Sequence, residues 1–362
     1  MNPSMRSFGW SDVARLGVVQ ACLGAMVVLA TSTLNRIMVV ELALPALVPG
    51  LLVGFHYAIQ MVRPRMGFGA DRGRRCTPWM IGGVITLALG GNMASWGTIQ
   101  MGQDHGTGLA ICLVAFGCIG LGVSATGTSL LALMSKRVPE SMRAPAATTV
   151  WVMMIMGFAL TAVTVGKLID PYTPERLMQV TAGLGLSIVV LTLLSLWGLE
   201  SSTQAAAPSG DRESMRSMHD FKQALAVVWR DPQARLFTWF VFLSMLAYSS
   251  QDLVLEPFAG AIFGMSPGQT TQLSGVHHSG VLVGMLLVAL AGSRRVNGRM
   301  GSVQSWMVGG CLVSALAMAG LASAGLQAGS WPLKPNVVLL GIANGAFSIA
   351  AIATMMRLAR SE

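Results

Sequence analysis

The sequence predicts an all-α protein that crosses a membrane many times and consists of two related bundles of helices. Hydrophobic residues make up 53% of the 362 residues and charged residues only 11%, which is not the composition of a soluble globular domain. The apolar residues form ten runs that approach the roughly 20 residues a helix needs to cross a bilayer. A short tag, Trp79-Met-Ile-Gly-Gly and Trp306-Met-Val-Gly-Gly, occurs twice and indicates an internal repeat.

The first predicted span follows a short polar segment, residues 1–15, and has no small-residue cleavage site. We therefore expect a retained first helix rather than a signal peptide. The abundance of glycine (42 residues) and methionine (25 residues) suits closely packed membrane helices. The ten spans are predicted near residues 14–34, 44–63, 79–99, 107–134, 145–167, 178–198, 235–255, 274–292, 304–326 and 336–358.

The loop after the second span predicts the orientation of the protein. It carries five arginines between Arg63 and Arg75, and positively charged loops stay on the cytoplasmic side of a membrane. With this loop in the cytoplasm, 20 of the 24 lysine and arginine residues fall on the same side. The other four are Arg36, Lys167, Arg176 and Lys334. Both termini are therefore predicted to be cytoplasmic.

A polar stretch divides the spans into six and four. We predict a six-helix membrane bundle over residues 1–199, a cytoplasmic linker over residues 200–234 and a four-helix membrane half over residues 235–362. Within the linker, residues 221–229 could form a short helix at the membrane surface. A solvated linker is the favoured interpretation of this stretch.

The repeat has two offsets. The two tags differ by 227 residues (306 minus 79), and an offset of 221 (341 minus 120) superposes span four on span ten. Two parallel halves joined by a linker resemble the major facilitator architecture. The loop Gly67-x-x-x-Asp71-Arg72-Gly73-Arg74-Arg75 resembles the signature loop of that superfamily, one residue shorter, and its charges would form a latch between helix ends.

That architecture has twelve helices, so spans eleven and twelve are absent from this sequence: either this member has lost them or the sequence is a shortened product. The second half would then need a partner helix or lipid to cover its exposed face.

A narrower resemblance covers the chain from about residue 10 to its end. The stretches STLNRIMVVELALPALVPG, GVSATGTSLLAL, KRVPESMRAPAATTVWVMMIMG and GIANGAFSIAAIATMM, with the arginine loop, resemble the PucC and LhaA family. That family is a bacteriochlorophyll-associated branch of the major facilitator superfamily in phototrophic bacteria. The resemblance implies an assembly factor for light-harvesting complexes in the intracytoplasmic photosynthetic membrane, which binds or delivers bacteriochlorophyll. The implied partners are light-harvesting polypeptides, the reaction-centre complex, membrane lipid and pigment-biosynthesis enzymes.

Polar residues within the spans are the candidate site, because they are costly in a membrane. His56, Gln60 and Arg63 are spaced to lie on one face of span two, with Tyr57 beside them. A neutral imidazole can be the single axial ligand of a chlorin magnesium, so His56 is either a pigment ligand or a structural histidine. His277 and His278 occupy the corresponding part of span eight. Because they are adjacent, we expect only one of them to face inward.

Charged residues near the outer ends of spans have a structural interpretation. Arg36 and Glu41 could pair across the short loop after span one, as a charge latch at the membrane interface. Asp252 and Glu256 occupy the matching place after span seven, and the same interpretation applies to them.

Several classes of function are not supported by the sequence. The five cysteines are scattered, which predicts neither a disulfide framework nor a zinc site. We find no nucleophile–base pattern, phosphate loop or metal-ligand cluster, so an enzyme is not predicted. The net charge of +9 is distributed over short loops, which argues against nucleic acid as a partner. The alternatives to an assembly factor are a secondary transporter of a small amphipathic solute and a resident subunit of a photosynthetic complex.

Overall fold

The computed structural model describes residues 8–63, 75–200, 229–230, 232–291, 302–327 and 331–358. These residues form ten helices and no strand, and each helix corresponds to one predicted span, which confirms the predicted fold class. The helices are α1 (Trp10–Glu41), α2 (Leu47–Ile59, with a tighter turn Gln60–Val62), α3 (Thr77–Met101), α4 (His105–Arg137), α5 (Glu140–Ile169), α6 (Pro174–Leu196), α7 (Pro232–Phe263), α8 (Pro267–Ala291), α9 (Val303–Leu326) and α10 (Leu333–Leu358).

The protein is a multi-pass membrane protein, as predicted. In the described part of the chain, seven helices are long and apolar enough to cross a bilayer. They are α1, α4, α5 from Pro145, α6, α8, α9 and α10 to Thr354. Helix α2 is apolar but shorter, over Leu47–Val62.

Helix α1 is longer than its predicted span. It continues through two widened π-helical turns, Leu29–Thr33 and Ile37–Glu41, to a total of 32 residues. The loop expected between Arg36 and Glu41 therefore does not exist, because the chain stays helical with i→i+5 hydrogen bonds instead of ending. Such π-turns often lie at functional positions in helices.

Polar side chains close the ends of several helices. The Asp104 carboxylate accepts hydrogen bonds from Gly106 N at 3.1 Å and from the backbone and hydroxyl of Thr107, which starts α4. These hydrogen bonds hold the pKa of Asp104 below its usual value, and the bond from the Thr107 hydroxyl has the largest effect. Glu200, assigned to the linker, accepts from Thr77 N at 2.7 Å and from Cys76 N at 2.9 Å. The end of the first six helices is thereby tied to the start of α3.

The helices pack in two sets, and the most extensive contact between the sets is that of α5 with α8. In the first set α3 lies against α4, α1 against α5 and α6, and α2 against α4. In the second set α8 and α9 both pack on α10, and α8 also runs along α5 of the first set. An apolar cluster that includes Ile155 of α5, Met285 of α8 and Ile349 of α10 fills this junction.

The glycine contacts repeat at the two offsets found in the sequence. A Cβ on Gly83 of α3 would lie 2.9 Å from the carbonyl oxygen of Gly122 on α4. Its counterpart in α9, Gly310, would place a Cβ 2.9 Å from the carbonyl oxygen of Ala343 on α10. These residues are 227 apart between α3 and α9 (310 minus 83) and 221 apart between α4 and α10 (343 minus 122). The α3–α4 and α9–α10 hairpins are therefore built alike.

Some predictions fall on residues outside the described ranges. Asp71, Arg72 and Arg74 of the signature loop lie there, as does most of the linker with its predicted surface helix. Arg75 is described and is exposed. The division into residues 1–199, 200–234 and 235–362 stays a prediction, and so does the cytoplasmic orientation.

Candidate functional site

His56 lies at a buried position where α2 crosses α4. Its residue is 1% exposed, and its backbone oxygen would lie 2.7 Å from a Cβ on Gly120. The imidazole Nε2 is 2.9 Å from Gln60 Nε2, and Arg63 donates to Gln60 Oε1. The predicted face of His56, Gln60 and Arg63 is thus a connected chain. Nδ1 of His56 is buried and has no hydrogen-bond partner among the described residues.

Tyr57 extends this site toward the second half of the protein. Its ring centroid is 4.8 Å from that of His56, and the residue is 47% exposed. Its hydroxyl lies within reach of Ser249 and within electrostatic range of Asp252, both on α7. Tyr57 therefore faces α7 and not lipid alone.

His277 and His278 on α8 are the repeat counterparts of His56 and Tyr57, at the same offset of 221 (277 minus 56). As with His56 and Gly120, the backbone oxygen of His277 contacts a glycine, Gly341 of α10. Its Nε2 is 3.3 Å from Asn344 Nδ2, and its buried Nδ1 has no hydrogen bond within the described chain. The two halves thus carry equivalent histidines in equivalent surroundings.

The expectation that only one of His277 and His278 faces inward is wrong. Their residues are 1% and 4% exposed. Helix α8 is enclosed by α5, α7 and α10, so two different directions around it lead into protein. The His278 ring packs edge-on against Phe158 of α5 at 5.0 Å, while His277 contacts Asn344 of α10.

Glu256 is a fully buried carboxylate between α1, α7 and α8. Ser32 of α1 and Ser274 of α8 each donate to it at 2.6 Å, and Thr271 and Thr270 add bonds at 3.3 Å and 3.4 Å. A buried carboxylate is tolerated only when hydrogen bonds replace its water. The hydroxyls that do this come from both sets of helices, so the cluster also joins the two sets.

Arg36 and Glu41 form the expected ion pair, with Nη1 and Oε1 2.5 Å apart, but within one helix. The link to the rest of the protein is made by Arg36, which donates to the backbone oxygen of Met265 at 2.7 Å. The guanidinium lies on Gly260 of α7, where a Cβ would be 3.0 Å from Nε. Glycine at this position lets α7 come close enough for the contact.

Asp170 makes a second link at the same end of the bundle, which the sequence interpretation missed. Its carboxylate accepts from Ser266 Oγ at 2.8 Å and from Gly268 N at 3.2 Å. The carboxylate at the end of α5 therefore caps the first turn of α8. The sequence shows only that Asp170 precedes a proline in a short loop. This does not reveal which helix the aspartate caps.

A cluster of possible metal ligands was also missed. Asp252, His277 and His278 place one ligand atom each within 4.8 Å of one another. The sequence-based statement that there is no metal-ligand cluster is therefore corrected. Because the ligands come from α7 and α8, no local spacing reveals them.

Two apolar grooves lie away from these polar residues. One, of about 270 Å³, is between α9 and α10 and includes Trp306 and Ile342. The other, of about 190 Å³, is between α7, α9 and α10 and includes Phe258 and Met318. Neither is lined by a histidine.

Most of the chain matches one known protein family. The family described as "PUCC protein" matches residues 33–362. The chain belongs to the PUCC protein family. This PUCC protein is 46% identical over 353 residues to the "Bacteriochlorophyll synthase 44.5 kDa chain" of Rhodobacter capsulatus, covering 98% of the chain and 80% of that relative. It is 27% identical over 370 residues to "Protein PucC" of the same organism, covering 97% of the chain and 77% of that relative.

Solved transporters share the fold of this PUCC protein at low sequence identity. The xylose transporter XylE from E. coli, in a partially occluded inward-open conformation, matches with a TM-score of 0.69 and 12% identity, over 96% of the chain and 86% of the transporter. An inward-facing bacterial homologue of the human lysosomal transporter Spinster matches with a TM-score of 0.64 and 15% identity, over 97% of the chain and 75% of the homologue. The major facilitator-like fold is thereby confirmed.

Proposed function

We propose that this PUCC protein is a membrane assembly factor for bacterial light-harvesting complexes that binds bacteriochlorophyll and passes it to light-harvesting polypeptides. Its family and the names of its relatives connect it with photosynthesis and with this pigment. The observation that carries the proposal is the buried His56 Nδ1 without a partner in the described structure, on a helix whose outer face is apolar.

The residues around His56 fit the pigment in their chemistry. A chlorin magnesium takes one axial ligand, and a neutral imidazole nitrogen supplies it. Outward residues of α2, such as Leu47, Leu51 and Met61, are 64–81% exposed and offer an apolar surface for a flat ring. Bound pigment would supply the light-absorbing macrocycle, while His56 would hold its magnesium and Tyr57 would border it.

Access to His56 sets a condition on this assignment. In the conformation described, the imidazole is enclosed and its Nε2 lies against Gln60. Pigment ligation therefore requires His56 to release Gln60 and turn toward the exposed Tyr57. His277 and His278 are enclosed by three helices, so we assign the pigment contact to His56, Tyr57 and Gln60.

Partners and location follow from the same proposal. Light-harvesting polypeptides and the reaction-centre complex would dock on lipid-facing surfaces, and pigment-biosynthesis enzymes would supply the cargo. We place the protein in the intracytoplasmic photosynthetic membrane, with both termini in the cytoplasm.

Substitution of His56 tests the pigment assignment. We expect His56→Leu to lower the bacteriochlorophyll that co-purifies per folded protein several-fold, because the axial ligand is lost. His56→Gln should restore part of it, since an amide oxygen is a suitable ligand for magnesium. The measurement is the absorption spectrum of monodisperse protein after purification in mild detergent.

The matched control is His105→Leu, at the exposed start of α4, which should leave the pigment content unchanged. A structural histidine predicts a different pattern: the yield of folded His56→Leu protein falls while pigment per folded protein stays constant. Unchanged pigment in a well-folded His56→Leu variant contradicts the assignment.

A secondary transporter is the second candidate, and one observation favours it. Ser32 and Thr33 of α1 meet Glu256, Ser274 and Thr271 of the second half through hydrogen bonds of 2.6–3.1 Å. Solute flux into proteoliposomes that is lost in Glu256→Gln would favour transport over assembly.

We further propose that the protein is not itself an enzyme, although one relative is named a synthase chain. The transporter-like fold and the buried, hydrogen-bonded state of the polar residues support this. Formation of bacteriochlorophyll by the purified chain alone would contradict it.

A further inference from the structure

We propose that Asp252, His277 and His278 form a binding site for a first-row divalent transition-metal ion, such as Zn²⁺ or Fe²⁺, inside the bundle. This inference does not depend on the proposed function, because none of the three ligands is assigned to pigment. Two imidazoles and one carboxylate are a ligand set that such metals accept, whereas Mg²⁺ and Ca²⁺ prefer oxygen ligands alone.

The three ligand atoms are close to a coordinating arrangement. All lie within 4.8 Å of one another, and Asp252 Oδ1 is 3.8 Å from His277 Nδ1. Around an ion with bonds of about 2.1 Å, tetrahedral ligand atoms are about 3.4 Å apart. The site would therefore close with side-chain shifts of about 1 Å or less, without moving a helix.

A hydrogen bond from Nδ1 of His278 orients the ring, so that Nε2 is the nitrogen that can bind a metal. Its Nδ1 is 2.8 Å from the backbone oxygen of Ser274, one turn earlier on α8, and donates its hydrogen there. This fixes the tautomer and leaves Nε2 with a free lone pair. Metal-binding histidines usually make such a bond with the nitrogen that does not coordinate.

His277 contributes the nitrogen that lacks a partner. Nδ1 is buried, and no hydrogen bond to it exists within the described residues. Unpaired buried nitrogen is costly and rare in native proteins, so it requires an explanation. A metal ion between His277, His278 and Asp252 provides one.

The hydrogen bonds around His277 are compatible with the tautomer that metal binding requires, in which Nε2 carries the hydrogen. With Nδ1 on a metal, Nε2 carries hydrogen and must donate to Asn344. Asn344 belongs to a ring of three hydrogen bonds. It bonds to Ser314 at 2.9 Å and to Gln251 at 2.7 Å, and a bond of 3.2 Å between Gln251 and Ser314 completes the ring. Because both amides can be flipped and the hydroxyl can rotate, the whole ring can reverse direction without losing a bond.

Charge and access are also suitable. Asp252 supplies a carboxylate to the ion, and the Glu256 carboxylate lies one helical turn further along α7. Asp252 is 29% exposed at its side chain, while both histidines are buried. The metal would therefore have three protein ligands and an open position on the Asp252 side, toward Tyr57 and Tyr248.

The first half of the protein supplies an internal comparison. At the offset of 221, Asp252 corresponds to Thr31, His277 to His56 and His278 to Tyr57. Only one of these three counterparts is a strong metal ligand. The repeat thus places the helices in both halves, but the ligand set is complete only in the second.

The test is metal binding by the full chain, purified in detergent with a tag that contains no histidine and stripped with a chelator. Co²⁺ is titrated in while the visible d–d absorption is recorded, and bound metal is counted by mass spectrometry. We expect one Co²⁺ per chain, displaced by Zn²⁺, with an affinity at least about 10-fold weaker in Asp252→Asn, His277→Gln and His278→Gln.

Two controls make the outcome decisive. His105→Gln removes an exposed histidine and should bind Co²⁺ as the unsubstituted chain does. Monodispersity on size exclusion shows that each variant is folded, and Asp252→Asn preserves the shape of the site if a histidine variant fails to fold. The proposal is overturned if the unsubstituted chain binds neither ion at 100-fold excess, or if folded Asp252→Asn binds Co²⁺ unchanged.

Discussion

The Glu256 carboxylate shows how strongly single side chains in this protein depend on residues far away in the chain. Its two shortest bonds come from Ser32 and Ser274, which are 224 and 18 residues away from it. Removal of one such donor leaves a buried acceptor less satisfied, which costs more than a surface hydrogen bond contributes.

We therefore expect Ser32→Ala to destabilise the protein by about 1–2 kcal/mol, because Glu256 loses one of its two 2.6 Å bonds. The measurement is the midpoint of thermal unfolding in detergent. Ser187→Ala is the control, since Ser187 is exposed and bonds only to the backbone oxygen of Gly183 on its own helix in the described structure. Equal midpoints for the two variants would show that Ser32 does not support the carboxylate.

The sequence predicted the contacts of some candidate-site residues better than those of others. The common face of His56, Gln60 and Arg63 follows from helical spacing, and the structure has these side chains in contact. The burial of both His277 and His278 does not follow, because it depends on how many helices surround α8. Spacing along one helix also cannot reveal ligands that come from two helices, as with Asp252 and His277.

The helices were easier to predict than the residue contacts, because long apolar runs in a membrane have few alternatives to a helix. The ends were less predictable: α1 reaches Glu41 through π-turns that no residue pattern announces. The hairpin contacts were specified by the repeat, whose glycines face backbone in α3–α4 and α9–α10 alike. Small residues let membrane helices approach at such places.

The crossing of α8 and α10 gives a prediction for these glycines. A Cβ on Gly341 would overlap the backbone oxygen of His277, so Gly341→Ala must push the two helices apart. We expect a loss of about 1–3 kcal/mol in stability, measured by thermal unfolding. Gly82→Ala is the control, because a Cβ there meets nothing within 4 Å. A Gly341→Ala variant as stable as the control would exclude this close crossing.

For the whole protein, the prediction that remains open is its orientation in the membrane. The 20-to-4 distribution of lysine and arginine predicts a cytoplasmic Arg75 and a Glu175 on the opposite side. In a variant without native cysteines, we expect Arg75→Cys to react with an impermeant maleimide only in inverted vesicles. Glu175→Cys should react only in intact spheroplasts. The reverse pattern would invert the topology.

At one end of the bundle, hydrogen bonds between residues far apart in the chain join the two sets of helices. At the Arg36 end, α1 is bonded to the α7–α8 turn, and Asp170 caps α8. No local pattern in the sequence indicates these two links, because their partners are 229 and 96 residues apart in the chain.

The difference between the two repeat offsets has a consequence for the lipid around the protein. Because 227 falls to 221 between the tags and span ten, the α9–α10 hairpin is six residues shorter than the α3–α4 hairpin. Most of the difference lies in one helix: α4 begins 17 residues before Gly122 (122 minus 105), whereas α10 begins 10 residues before Ala343 (343 minus 333). At 1.5 Å per residue, α10 is therefore about 10 Å shorter on this side of the contact. We expect the bilayer to be thinner beside the start of α10 than beside the start of α4.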